Sequence, residues 1–341
     1  MSAFSCCIRL RKRIDKDFKG FRFGIVAVFL SITVQAQDII SVHDPVMIKQ
    51  DSLYYIFCTG WGITVWSSAD MKNWKKEKPV FDKAPEWAVR LIPDFKGHIW
   101  APDISFHNGK FYLYYSVSAF GKNTSCIGLA TNTTLHSSDP AYKWDDKGKV
   151  IQSVPGRDLW NAIDPNLAFD DTGIPWLVFG SFWSGIKLVK LNADLSTVAE
   201  PQEWYTVAKR PRDFKTADPD PGEGPIEAPF IFKKNQYYYL FVSFDFCCRG
   251  INSTYNIRVG RSEKITGPYL DRDGNRLDQG GGSLVLAGNE FWPGVGHNAA
   301  YTFSGVDYIV FHGYDARDNG KPKLLIREIQ WDKDGWPSAS L

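Results

Sequence analysis

Four carboxylates and one imidazole, Asp44, Asp103, Asp164, Glu227 and His297, recur along the chain at intervals of roughly sixty residues. Each lies beside a proline or a small residue, as in His43-Asp44-Pro45, Ala101-Pro102-Asp103, Ile163-Asp164-Pro165, Glu227-Ala228-Pro229 and His297-Asn298-Ala299. Carboxyl groups gathered into one partly buried site repel each other, so one can hold a proton while another stays ionised. That division is what general acid/base catalysis requires.

The elements around these residues must bring them together. After each comes a short apolar run, a turn and an aromatic-rich segment. The aromatic segments are Leu53-Tyr54-Tyr55-Ile56-Phe57, Phe111-Tyr112-Leu113-Tyr114-Tyr115, Pro175-Trp176-Leu177-Val178-Phe179, Tyr237-Tyr238-Tyr239-Leu240-Phe241 and Tyr308-Ile309-Val310-Phe311. Turn signals such as Asn108-Gly109, Thr172-Gly173, Asp273-Gly274 and Asp334-Gly335 separate strand-like runs, and helical periodicity is hard to find beyond residue 37. A long repeat built of short strands predicts an all-β fold, a five-bladed β-propeller spanning residues 37–341. In such a fold the first strand of each blade lines the axis. Residues far apart in sequence then meet in one funnel.

A glycosidic bond is cut by one carboxylic acid that protonates the leaving oxygen and one carboxylate that activates water or attacks the sugar. A third acid can hold the donor's pKa high and orient it. The chain carries enough axial acids for all three tasks, and Trp and Phe residues beside them suit the apolar faces of sugars. The stiff segment Pro211–Pro225, which runs into Glu227, reads as a cleft rim or as a long surface connection.

The motifs Val42-His43-Asp44-Pro45, Trp100-Ala101-Pro102-Asp103, Asn161-Ala162-Ile163-Asp164-Pro165, Gly180-Ser181-Phe182-Trp183, Gly224-Pro225-Ile226-Glu227-Ala228-Pro229 and Gly296-His297-Asn298 occur in that order. Together they resemble the successive blade motifs of glycoside hydrolase family 43, and within it most closely those of endo-arabinanases. The resemblance implies hydrolysis of α-1,5-L-arabinofuranosidic bonds in arabinan with inversion of configuration. It assigns Asp44 as general base, Glu227 as general acid and Asp164 as the residue that tunes and orients the acid. It implies that His297 helps hold one calcium or similar ion at the axis, with no organic cofactor. Trp100, Phe120, Gly121, Asn161, Ile163, Ser181 and Trp183 match positions that contact the sugar. Asp103, out of phase with the others, is left as structural.

Three other readings share this framework: a β-xylosidase or α-L-arabinofuranosidase with a different cleft, a sugar-binding propeller without catalysis, and a fructan-cleaving propeller. Asp44 and Glu227 with their motifs intact argue against the second. The surroundings of Asp44, His43-Asp44-Pro45-Val46, differ from the Asn-Asp-Pro-Asn-type segment expected of the third.

Residues 1–36 differ in kind. Seven cations from Arg9 to Arg22 precede an apolar segment, Phe23 to Val34, ending in Val34-Gln35-Ala36-Gln37. This is the pattern of a secretory signal peptide, too short to span a bilayer, with cleavage after Ala36. The full chain carries +2 and residues 1–36 carry +5, which leaves −3 on residues 37–341. A mildly acidic chain offers no electrostatic attraction to nucleic acid or an anionic membrane. A monomer in the periplasm or outside the cell, with a neutral polysaccharide as partner, is the expectation. Of the cysteines beyond residue 36, Cys58 and Cys126 stand alone at strand ends. Cys247 and Cys248 are adjacent, and whether they bridge is left open.

Overall fold

The computed structural model describes residues 39–341. The expected signal peptide lies outside the described residues. The rest is a ring of five antiparallel sheets. The inner strands are Val46–Gln50, His98–His107, Asn166–Phe169, Ile226–Lys234 and Val295–Phe303, and each packs against the next, the fifth returning to the first. Every inner strand pairs antiparallel with its aromatic-rich second strand: Leu53–Cys58, Lys110–Val117, Pro175–Phe179, Tyr237–Phe244 and Val306–Asp315. Blades one to four carry at least four strands, and blade five carries three. Leu324 on the third strand of blade five donates its amide to Ile40 O at 3.0 Å, so the start of the described chain closes the ring.

Local sequence accounts for these elements. Asn108 and Gly109 both take positive φ between two strands, as a tight hairpin turn demands. Large aromatic side chains from the second strands, including Phe57, Tyr115, Phe241 and Phe311, are fully buried between blades. The one α-helix among the described residues, Glu86–Leu91, is too short to cross a membrane.

Each inner strand opens on one left-handed residue: Asp44 (φ 53°), Ala101 (38°), Asp164 (58°), Ala228 (54°) and His297 (51°). The first four are followed by proline and the last by Asn298. The ladder breaks across this point in blades two, four and five. The amide of each left-handed residue is captured by a side chain from the neighbouring blade. Asp44 N donates to His312 Nδ1 (3.1 Å), Ala101 N to Thr59 Oγ1 (2.8 Å) and Asp164 N to Ser116 Oγ (2.9 Å). Ala228 N donates to Asp164 Oδ2 (3.1 Å) and His297 N to Ser243 Oγ (2.9 Å).

This alignment corrects the expectation that Glu227 shares the repeat position of Asp44 and Asp164. Asp44, Asp164 and His297 do share one position, but Glu227 stands one residue earlier and Asp103 two residues later. A bulge sets two residues against one and so breaks the two-residue alternation of a strand, which lets Glu227 line the same cleft from its shifted place.

Asp103 ties blades together. It is 2 % exposed, and its carboxylate accepts from Asn166 Nδ2 at 3.1 Å and Leu167 N at 2.9 Å. Asn166 Oδ1 in turn accepts from Ile231 N of blade four at 2.9 Å. Asp103→Ala strands these buried donors and is expected to lower the urea unfolding free energy by about 2–4 kcal/mol. An unchanged midpoint would remove Asp103 from that tie.

Candidate active site

The inner strands converge on a cleft of about 920 Å³ at one end of the axis, within the range of ligand sites. Asp44, Asp164, Glu227 and His297 all line it, and Asp103 does not. The left-handed backbone at Asp44, Asp164 and His297 turns these side chains toward the same space.

Asp44 is 7 % exposed and surrounded by imidazoles. Its Oδ1 lies 2.8 Å from His43 Nδ1, 3.0 Å from His297 Nδ1 and 3.7 Å from His312 Nδ1, while Oδ2 accepts from Thr59 Oγ1 at 2.5 Å. Burial alone would raise its pKa. The positive charges of His297 and His43 and their hydrogen bonds outweigh it, and Asp44 is held well below the usual carboxylate range. Burial would lower His297, but Asp44 and Asp164 raise it to about 9. His312 accepts the Asp44 amide and is kept neutral by burial and by the neighbouring His43 charge.

Glu227 has the opposite surroundings. It is 8 % exposed and makes no ion pair among the described residues. Burial raises its pKa, and hydrogen bonds from Ser181 Oγ to Oε2 and Tyr255 OH to Oε1, both 2.8 Å, draw it partly back. Asp164 is raised to about 8, first by burial and then by the nearby Glu227 and Asp44 charges, against the pull of His297. At neutral pH the cleft therefore pairs an ionised Asp44 with Asp164, which keeps its proton, and with Glu227, which burial pushes in the same direction as Asp164. An ionised carboxylate and a carboxylic acid in one cleft can activate water and protonate a leaving oxygen. Asp164 Oδ2, by accepting the Ala228 amide, also fixes the peptide that follows Glu227.

The residues expected to contact sugar fall into two groups. Trp100, Phe120, Gly121, Asn161, Ile163, Ser181 and Trp183 all line the cleft. Phe120 is 81 % exposed and faces the open space, whereas Asn161 is buried and its Oδ1 has no hydrogen-bond partner among the described residues. Ser181 instead spends its hydroxyl on Glu227, and Trp183 is buried with Nε1 donating to Asp218 O at 2.9 Å. That bond, with Trp183 N to Pro221 O at 3.2 Å, anchors the 211–225 segment, and Pro221 lines the cleft as part of its rim. Trp100 Nε1 is held by His98 Nδ1 at 3.1 Å.

The sequence reading missed His43, Thr59, Tyr255 and His312, which grip the two outer carboxyls. A signal was present for His312: like Ser116 and Ser243, it is a polar residue inside a buried aromatic strand. Cys247 and Cys248 also line the cleft, and both are free thiols rather than a vicinal bridge.

Residues 39–337 match the family model of glycosyl hydrolases family 43. The chain is 55 % identical over 300 residues to an extracellular exo-α-(1→5)-L-arabinofuranosidase of Cellvibrio japonicus, covering 88 % of this chain and 86 % of that protein. It is 47 % identical over 301 residues to an extracellular endo-α-(1→5)-L-arabinanase of Bacillus subtilis, covering 87 % of each. The structure of Cellvibrio cellulosa α-L-arabinanase complexed with arabinohexaose superposes with a TM-score of 0.88 at 54 % identity, covering 89 % of this chain and 96 % of that one. With the propeller, the paired carboxyls and these likenesses in hand, the chain belongs to glycosyl hydrolases family 43.

Proposed function

We propose that the protein hydrolyses α-1,5-L-arabinofuranosidic bonds in linear arabinan by a single inverting displacement. The observation that carries the chemistry is the opposite push on two carboxyls of one cleft: Asp44 is lowered among imidazoles, and Glu227 is raised by burial. The bond type is supported by relatives whose names specify the α-(1→5)-L-arabinan linkage. Asp44 takes the proton of the attacking water, and Glu227 donates its proton to the leaving sugar oxygen. Asp164 is a positioning residue, holding the Ala228 peptide that follows Glu227, and its own proton is held by burial and by the neighbouring Glu227 and Asp44 charges.

Cleavage within the chain is the primary reading. The wall at Phe120 and Gly121 is low: Phe120 is largely exposed, and a Cβ on Gly121 would meet no atom within 4 Å, so a polymer can run past it. Terminal release is the second reading, favoured by the exo-acting relative at 55 % identity. We place the working protein outside the cytoplasm as a monomer, on the leader-like first 36 residues and on relatives named extracellular.

A calcium or similar cation on His297 is part of this proposal. The residues can hold one once the imidazole gives up its proton: Nδ1 faces Asp44, no hydrogen bond to Nε2 is made among the described residues, and the charges of Asp44, Asp164 and Glu227 all act on the ring. Calcium prefers oxygen ligands, so water would complete its shell. When bound, it would add positive charge beside the carboxylates.

Asp44→Ala and Glu227→Ala are each expected to reduce arabinan hydrolysis by roughly a thousandfold or more while the purified variants keep the wild-type circular dichroism spectrum. Wild-type turnover in either would sink the assignment. A ladder of arabino-oligosaccharides from linear arabinan is the product expected of internal cleavage, whereas one short product from the outset would establish the terminal mode.

The pH profile has a defined sign. Activity needs Asp44 ionised and Glu227 protonated, so the alkaline limb follows loss of the Glu227 proton. Tyr255 stabilises the ionised form of Glu227, so Tyr255→Phe should move the alkaline limb of kcat/KM to higher pH. A shift downward would contradict it. His297→Ala should lower the metal content of the purified protein read by elemental analysis, and an unchanged content would remove His297 as a ligand.

A further inference from the structure

Cys247 and Cys248 have no part in the reaction above, yet their surroundings are those of a reactive thiol. Cys248 is exposed on the cleft wall in a left-handed conformation (φ 62°), with its amide donating to Tyr314 OH at 2.7 Å. Its Sγ lies 3.8 Å from His43 Nε2, and Nδ1 of the same ring lies 2.8 Å from Asp44 Oδ1. Thiol, imidazole and carboxylate in that order are the arrangement that activates a nucleophile: the carboxylate orients the ring, and the ring takes or shares the thiol proton.

The ring is not free to leave. It stacks on His312 with centroids 4.0 Å apart, and Nε2 also meets Tyr314 OH at 2.8 Å. The hydrogen bond from Cys247, then the hydrogen bond and charge of His43, bring Cys248 down to about 5 against the opposing effect of burial. Cys58 and Cys126, buried in strands, are pushed up to about 12 by desolvation. One thiol of the four in the described residues is thus both exposed and biased toward thiolate.

We propose that Cys248 is a covalent modification site on the wall of the cleft, reactive toward low-molecular-weight disulfides and placed so that the adduct obstructs the space beside Asp44. The Cys248 thiolate attacks one sulfur of R–S–S–R, a new Cys248–S–S–R bond forms as the old S–S bond breaks, and RS⁻ departs. The Cys248 sulfur is oxidised to the disulfide level, and one R–S group is reduced to thiolate. A dithiol reverses the exchange. The modification stands on the geometry of the thiol, while its effect on turnover rests on the proposed hydrolysis.

The test uses the purified full-length protein carrying Cys6→Ser and Cys7→Ser, and 5,5′-dithiobis(2-nitrobenzoate) at neutral pH, with glutathione as reference thiol. Released nitrothiobenzoate gives the rate, peptide mass spectrometry the position, and arabinan hydrolysis before and after treatment the consequence. One adduct on Cys248, formed at least about tenfold faster than on glutathione, is expected, with hydrolysis falling about tenfold and recovering with dithiothreitol. In Cys248→Ser the fast phase should vanish and treatment should no longer change hydrolysis; in Cys247→Ser the adduct should still form on Cys248. An adduct on Cys247 instead, or a Cys248 rate no greater than that of glutathione, would overturn the site. A Cys248 adduct that leaves hydrolysis unchanged would overturn the obstruction. A protein inactive on arabinan before treatment would fail the hydrolytic reading alone, and the labelling would still decide the thiol.

Discussion

The structure depends on one recurring constraint: the left-handed residue that opens each inner strand and the capture of its amide by the adjacent blade. A non-glycine residue at positive φ costs roughly 1–3 kcal/mol, and a single hydrogen bond contributes about 1 kcal/mol. The conformation persists because the blade interface over-determines it. Proline after four of the five fixes the chain just beyond the bend. The partners that hold the five amides, His312, Thr59, Ser116, Asp164 and Ser243, reach across blade boundaries, so the same bonds that close the ring also aim Asp44, Asp164 and His297 at the axis.

That arrangement turns a fold requirement into chemistry. Blade five supplies His297 and His312, and blade one supplies His43 and Thr59, so Asp44 sits at a seam rich in donors and positive charge. Glu227 sits at the seam of blades three and four, where the donors are neutral hydroxyls. Two carboxyl groups of one cleft are thereby driven in opposite directions, one toward the carboxylate and one toward the acid. Asp164 lies between them in the ring. It answers to both sides: raised by burial and its acidic neighbours, restrained by His297, and spending one oxygen on the backbone beside Glu227.

Much of this was legible in the sequence, for physical reasons that also mark where the reading stopped. Aromatic second strands at a regular interval disclose five sheets because each must fill the gap between two blades. Asp44, Asp164 and Glu227 could be picked out as carboxyls one or two residues before a proline at the openings of those repeats. The one-residue offset of Glu227 could not, because a bulge changes which side chains face the axis without changing the composition. Nor could the grip of His312 on Asp44, made across 268 residues of chain, or that of Tyr255 on Glu227, made across 28. Ser181 was expected at the sugar and is found on the acid. The spacing places it in the cleft, but only the rotamer decides whose oxygen it meets.

The account's central claim is that ionised Asp44 and protonated Glu227 act together in a single displacement, with water attacking the sugar carbon directly. The most direct test is a ¹H NMR time course of arabino-oligosaccharide hydrolysis that follows the anomeric proton of the newly formed reducing end before mutarotation. The account predicts that the β-anomer appears first and then equilibrates. First appearance of the α-anomer would mean a covalent glycosyl-enzyme intermediate, and would contradict the assignment of Asp44 as a base acting on water.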